Sequence, residues 1–142
     1  MNANAETLNN IVVANHILAH EEVVDAYGHI SFRHPDDPEK YLLSRARAPE
    51  LIEAGDIVTY RLDGEAIDAG DRRPYSERMI HGAIYEQRPD VNVVIHNHSY
   101  EVIPFASTGT PLRPVTHTCA PIGKNIPIWD MRDKFGETNH LV

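Results

Sequence analysis

Residues 74–99 read PYSERMIHGAIYEQRPDVNVVIHNHS, and the succession of patterns within this stretch decides how the chain folds. Its first half carries Met79, Ile80, Ala83 and Ile84 at helical spacing, with Ser76 placed as N-cap and Pro89 as the stop, so a helix is expected. The period then changes. Val91 to Ile95 is a β-branched run of the kind found in buried strands. That strand ends in His96-Asn97-His98, and side chains two apart in an extended chain face the same way. Both imidazoles therefore leave one side of the strand end, an arrangement suited to a divalent cation. On the helix Glu77 and His81 lie four residues apart and share a face, which carries the Glu77 carboxylate towards the histidines as a ligand or as an acid/base group. The plain structural alternatives are polar surface histidines and a carboxylate that favours the positive end of a helix.

Upstream, apolar residues from Leu8 to Val24 recur at helical spacing between Glu6 and Tyr27, and Gly28 is the expected terminator. Ile30 and Phe32 alternate with polar neighbours, Pro35 to Pro38 make a turn, and Tyr41 to Leu43 resume an extended run, which together predict a β-hairpin. A helical turn closed by Gly55 leads into a strand at Ile57 to Leu62, and Asp63-Gly64 turns the chain into another short strand. Downstream, SYEVIPFAS (99–107) reads as a short helix broken near Pro104, and NIPIWD (125–130) as a last strand. The residues thus predict an α/β architecture with a largely antiparallel sheet.

A chain of 142 residues, 42% apolar and 24% charged, fits one soluble domain. Its net charge of −8 argues against a broad grip on nucleic acid or anionic lipid, which needs clustered Lys and Arg. No apolar run approaches the roughly 20 residues that span a bilayer. The single cysteine, Cys119, forms no internal disulfide, and the N-terminus lacks a secretion-signal profile, so a cytoplasmic location is expected.

The stretch 74–99 resembles the class II aldolase/adducin family, whose sugar-phosphate aldolases and epimerases carry S-S-E on a helix, then R-P-D, then an apolar strand ending in H-x-H. The resemblance extends from the opening helix through GHISFR and LIEAGDIV to the closing GETNHLV. It implies a three-layer α/β/α fold around a mostly antiparallel sheet, a Zn²⁺ or Mn²⁺ ion held by His96 and His98, and Glu77 as the catalytic acid/base and a further metal ligand. It also implies a homotetramer acting on a small molecule, with no nucleic-acid or membrane partner.

Three departures refine this expectation. Family aldolases read G-N-[IV]-S where this chain has Gly28-His29-Ile30-Ser31, and they carry a serine where it has Tyr75. Imidazole and phenol in place of a small amide and a hydroxyl favour a carboxylate or aromatic substrate over a phosphate. The substrate-binding set implied by the match is His29, Ser31, Ser44, Tyr75 and Ser76, with Arg72, Arg73 and Arg78 nearby as lesser candidates for a carboxylate. The pattern is similar to the branch of hydroxylated aromatic dicarboxylate decarboxylases, which implies a lyase that breaks a carbon-carbon bond through a metal-stabilised enolate. A sugar-phosphate aldolase or epimerase and a non-catalytic adducin-head-like assembly module remain as alternatives. Finally, the family's third histidine ligand sits in a G-H-G segment beyond the position matching Val142, so residues 1–142 are expected to lack the C-terminal part of the domain; His117 is the candidate within the chain, and His140 is the lesser one.

Overall fold

The computed structural model describes residues 4–130, which form two compact units divided after His98. The first unit opens with helix α1, Ala5–His20, capped by Asn4, whose side chain accepts from the Thr7 N–H at 2.8 Å. The helix stops well before Gly28. Glu22 adopts a left-handed φ of 56°, and the Val23 N–H folds back to the Leu18 carbonyl at 2.9 Å, so the C-terminal carbonyls are satisfied without a glycine.

Strands β1 (His29–Arg33), β2 (Lys40–Ser44) and β3 (Ile57–Arg61) follow, the last preceded by two 3₁₀ turns, Pro49–Leu51 and Ala54–Asp56. Helix α2 spans Arg78–Gln87 and leads into β4, Val93–His96. All neighbours pair antiparallel in the order β3-β2-β1-β4. The Asp63-Gly64 turn produces a single bridge, Tyr60 to Ala66, in place of the expected strand.

Because side chains alternate across a sheet, each face builds its own core. Leu42 and Ile57 pack with Ile11 of α1 and Ile52, while Tyr41, Leu43, Val58, Tyr60 and Val94 pack with Tyr85 of α2. Helices on opposite faces of one antiparallel sheet give the three-layer α/β/α arrangement that the family resemblance implies. Full burial of such side chains contributes about 1.5–3 kcal/mol each. Gly82 allows α2 to approach closely: a Cβ there would clash with the Leu62 carbonyl oxygen. Arg33 ties β1 to the helix-strand connection, donating to the carbonyls of Tyr85, Arg88 and Val91 at 2.9 Å each.

Several local expectations change. Helix α2 begins at Arg78 with Glu77 as N-cap residue, so Ser76 caps nothing. The run read as a buried strand buries only one face, for Val93 and Ile95 are 42% and 46% exposed. Alternation from the antiparallel partner β1 outweighs the apolar run.

The second unit, described by itself, contains helix α3, Ile103–Thr108, and a 3₁₀ helix, His117–Ile122. Pro104 sits in the first turn of α3, where a missing N–H costs nothing, and starts the helix instead of breaking it. Residues 125–130 form no strand. Pro127 removes a ladder donor there. His117 lies in this unit, and His140 falls outside the described residues.

Candidate metal centre

Register places the chemistry. Opposite His96 on the neighbouring strand is His29, and alternation puts His29, Ser31 and His96 on the face that α2 covers. Glu77, at the start of α2, makes no cap hydrogen bond with its side chain, which leaves its carboxylate free for this corner. Glu77 Oε2 lies 3.3 Å from His96 Nε2 and 3.6 Å from His29 Nε2. His98, just past the strand, presents Nε2 at 3.1 Å from His96 Nε2. His96 thus has both Glu77 and His98 beside it, and these are the three residues expected to hold a metal.

Proximity alone selects a different set, His29, Glu77 and His96, whose ligand atoms lie within 4.8 Å of one another. Lone-pair direction separates the two sets. An imidazole nitrogen binds an ion through a lone pair in the plane of the ring. The His29 and His96 rings stack with planes only 19° apart, so their lone pairs run side by side. The His96 and His98 planes cross at 85°, and in-plane lone pairs of such rings can meet at one point.

Behind His98 stands Asp25. Its carboxylate lies 3.2 Å from His98 Nδ1, which fixes the proton there and leaves Nε2 a free lone pair towards His96. Asp25 also accepts the backbone N–H groups of Tyr27 and Gly28 at 3.0 and 2.8 Å. Burial pushes its carboxyl up, but these hydrogen bonds outweigh that and hold it below the usual range. Gly28 lets the turn close under the site: an added Cβ would meet Val24 Cβ at 2.7 Å and the His96 carbonyl at 3.1 Å. Crossed imidazoles, a carboxylate oxygen and a histidine backed by a second carboxylate make a donor set that fits a divalent cation.

Beneath lies a buried polar chain. His29 Nδ1 is 2.7 Å from His81 Nε2, His81 Nδ1 is 2.6 Å from Ser31 Oγ, and Ser31 Oγ is 2.8 Å from the Tyr85 hydroxyl. Burial, reinforced by the charge of His96, depresses His29 to about 4, and burial with His29 alongside depresses His81 to about 3, so both rings are neutral at pH 7.

The remaining expected site residues lie apart from the histidines or beneath them. Ser31 and Ser44 are fully buried. Tyr75 packs its ring 4.4 Å from that of His29 and donates its hydroxyl to the Arg47 carbonyl at 2.5 Å. With Ser76, Tyr27, Arg47 and Arg73 it lines a cavity of about 620 Å³. Arg47 is committed to Asp56 at 2.7 Å, and Arg72 and Arg78 spend their donors on backbone carbonyls. Arg73, another residue lining this cavity, has no side-chain partner among the described residues.

Sequence reasoning missed Asp25, His81 and Tyr85 as parts of the site. Asp25-x-x-Gly28 signals a turn and says nothing of His98; His81 and Tyr85, four apart, mark a polar inner helix face that could have been noticed.

An antiparallel sheet between two helices, with histidines at a strand end facing a helix-start carboxylate, defines an α/β protein with a metal-type corner. The model of the class II aldolase and adducin N-terminal domain matches residues 9–140, and the chain belongs to that family. Decarboxylase tropJ of Talaromyces stipitatus is 37% identical over 86% of this chain and 47% of its own length. The 3,4-dihydroxyphthalate decarboxylase of Arthrobacter keyseri is 36% identical over 74% of this chain and 45% of its own. Among solved structures, an L-fuculose 1-phosphate aldolase from Glaciozyma antarctica superposes with a TM-score of 0.68 at 29% identity, covering 77% of this chain and 46% of that one. The chain spans about half the length of these relatives.

Proposed function

We propose that this chain carries the metal-binding half of a carbon-carbon lyase that decarboxylates a hydroxylated aromatic carboxylate. The observation that supports it most is the crossed pair His96 and His98, Nε2 to Nε2 at 3.1 Å, with Glu77 Oε2 3.3 Å from the first. His96, His98 and Glu77 would hold a zinc or manganese ion. When bound, such an ion supplies Lewis-acid stabilisation of the negative charge that develops as a carbon-carbon bond breaks.

The chain's own residues do the rest. Arg73, which lines the cavity and has no side-chain partner among the described residues, is available to pair with a carboxylate. Tyr75 and Tyr27 give that cavity aromatic walls, which suit a flat substrate better than a phosphate cradle would. His29 faces the ligand from the sheet. Glu77, once it has taken a proton from water, would give that proton to the carbon from which carbon dioxide departs, so one C–C bond breaks, one C–H bond forms and the Glu77 carboxylate is regenerated. Similarity to two decarboxylases, over 86% and 74% of the chain, supports this branch of the family. We extend the reading to a cytoplasmic homotetramer.

The test is carbon dioxide release from 3,4-dihydroxyphthalate by the metal-reconstituted protein. Release that needs both the metal and Glu77 supports the reading. Cleavage of L-fuculose 1-phosphate instead would establish the aldolase alternative, and tight metal binding with neither activity would favour an assembly module.

A further inference from the structure

Asp56 belongs to the 3₁₀ turn before β3, away from the histidine corner, yet it is a charged residue only 6% exposed. A carboxylate so placed has to be fully paired. Three donors meet it: Arg45 Nε on one oxygen at 2.5 Å, and Arg47 Nη1 and the Glu53 N–H on the other at 2.7 and 2.9 Å. Burial pushes its carboxyl up, but these hydrogen bonds outweigh that and hold it below the usual range, so it is ionised at neutral pH. Glu53 lies 3.3 Å from Arg47, and the two arginines and two carboxylates together carry no net charge.

This group reaches the cavity of about 620 Å³ through Arg47, which lines it. Residues 45–47 run between Asp56 and the stretch 73–75. The Arg45 N–H donates to the Asp56 carbonyl at 2.7 Å, and on the other side Arg45 bridges to Pro74 and the Ala46 N–H donates to the Arg73 carbonyl at 2.8 Å. The Arg47 carbonyl accepts the Tyr75 hydroxyl. Arg47 and Arg73 both line the cavity, and of the two only Arg47 has a carboxylate partner among the described residues. We propose that Asp56 is a positioning residue that sets which anion the cavity accepts: it neutralises Arg47 and fixes the backbone that carries Arg73 and Tyr75, leaving one guanidinium for one carboxylate.

Charge balance gives the selectivity. Arg73 offers one positive charge in a planar fork that matches a carboxylate. A phosphate monoester brings nearly two negative charges and would leave one uncompensated. Loss of the Asp56 charge would release Arg47, because its remaining partner, the exposed Glu53, holds it only weakly. The cavity would then present two guanidinium groups and turn towards dianions. This role rests on the reading that the cavity receives an anion, and it does not depend on the metal.

The experiment compares the Kd of 2-hydroxybenzoate, a monoanion, with that of phenyl phosphate, a dianion above its second pKa of about 6, by isothermal titration calorimetry of the full chain. The parent should prefer 2-hydroxybenzoate. In Asp56→Asn the ratio should move towards phenyl phosphate by about tenfold or more, the scale of one charge-assisted hydrogen bond, and adding Arg47→Gln should return it to the parent value. Both probes weakened alike, with the ratio unchanged, is the mark of a merely structural residue and would overturn the proposal. Arg47→Gln alone keeps the Arg45 pair and serves if Asp56→Asn does not fold. Its 2-hydroxybenzoate affinity should stay within about fivefold of the parent; a larger loss would make Arg47 itself the ligand's partner and overturn the proposal. The ¹⁵N resonances of the Arg47 guanidinium read the anchoring without any ligand. Restricted rotation should keep them resolved in the parent and let them merge in Asp56→Asn, and resonances already merged in the parent would overturn the anchoring. A parent that binds neither probe would remove the cavity as an anion site and the proposal with it, whereas an anchored Arg47 and the expected ratio without carbon dioxide release would count only against the decarboxylase reading.

Discussion

The Asp25 carboxylate stands 3.2 Å behind His98 Nδ1, on the side of the ring opposite the nitrogen that faces His96. One residue in the turn before β1 thus fixes the tautomer of a histidine beyond β4. Outer partners of this kind typically carry 10–100-fold in metal affinity. Asp25→Asn should therefore weaken Zn²⁺ binding by roughly that factor, read by competition with a chromophoric chelator. Unchanged affinity would remove Asp25 from the site.

Glu77→Gln should leave the fold intact, because the Glu77 carboxylate caps no helix hydrogen bond. Far-ultraviolet circular dichroism and Tm should match the parent within about 2 °C, a shift worth under about 1 kcal/mol at this chain length. Turnover of 3,4-dihydroxyphthalate should fall by at least about 100-fold, the usual scale of a lost proton-transfer group. Full activity in this variant would take Glu77 out of the chemistry.

Gly82→Ala tests the packing that sets the site. The added methyl would clash with the Leu62 carbonyl oxygen, a backbone atom that cannot turn aside. A cost of about 3 kcal/mol or more is expected, seen as a Tm drop of roughly 10 °C. A neutral result would mean that α2 does not approach the Leu62 backbone, just past β3, as closely as described.

Stability should fall on acidification in a window that belongs to the buried histidines. The folded values of His29 and His81, about 4 and about 3, lie below the ordinary 6.5, so between those limits the unfolded chain binds more protons. Stability therefore rises with pH in that window and is lost as pH falls from about 6.5 towards 4, by an amount on the order of a few kcal/mol. Asp25, Asp56 and Asp90, held below the usual carboxylate range, contribute their losses only at lower pH. Urea titrations of chelator-treated protein at pH 7 and pH 4.5 measure the effect, and His81→Gln should flatten it.

Much of this was legible in the sequence where local rules act alone. The period change from helix α2 to β4 and the alternation at Ile30 and Phe32 place the hairpin, the helix and the histidine strand. The spacing of His96 and His98 and the position of Glu77 point to the corner where Glu77 and His98 each lie beside His96, while His29 joins it only through strand pairing. What the sequence hides is set by partners distant along the chain. Val93 and Ile95 are exposed because the register with β1 turns them away from α2, which no apolar run reveals. His29 and Ser31 are expected to bind substrate, and nothing local shows that strand pairing buries them against His81 and Tyr85, more than fifty residues away in sequence. Asp25 belongs to His98 only because β1 and β4 are neighbours.

The central claim is that His96 and His98 jointly grip a divalent cation. Metal content of purified protein equilibrated with Zn²⁺ or Mn²⁺ and then freed of excess, measured per chain by elemental analysis, tests it directly. The parent should retain an ion that the His96→Ala/His98→Ala double variant, folded by circular dichroism, has lost. Equal metal in the two proteins would contradict the account.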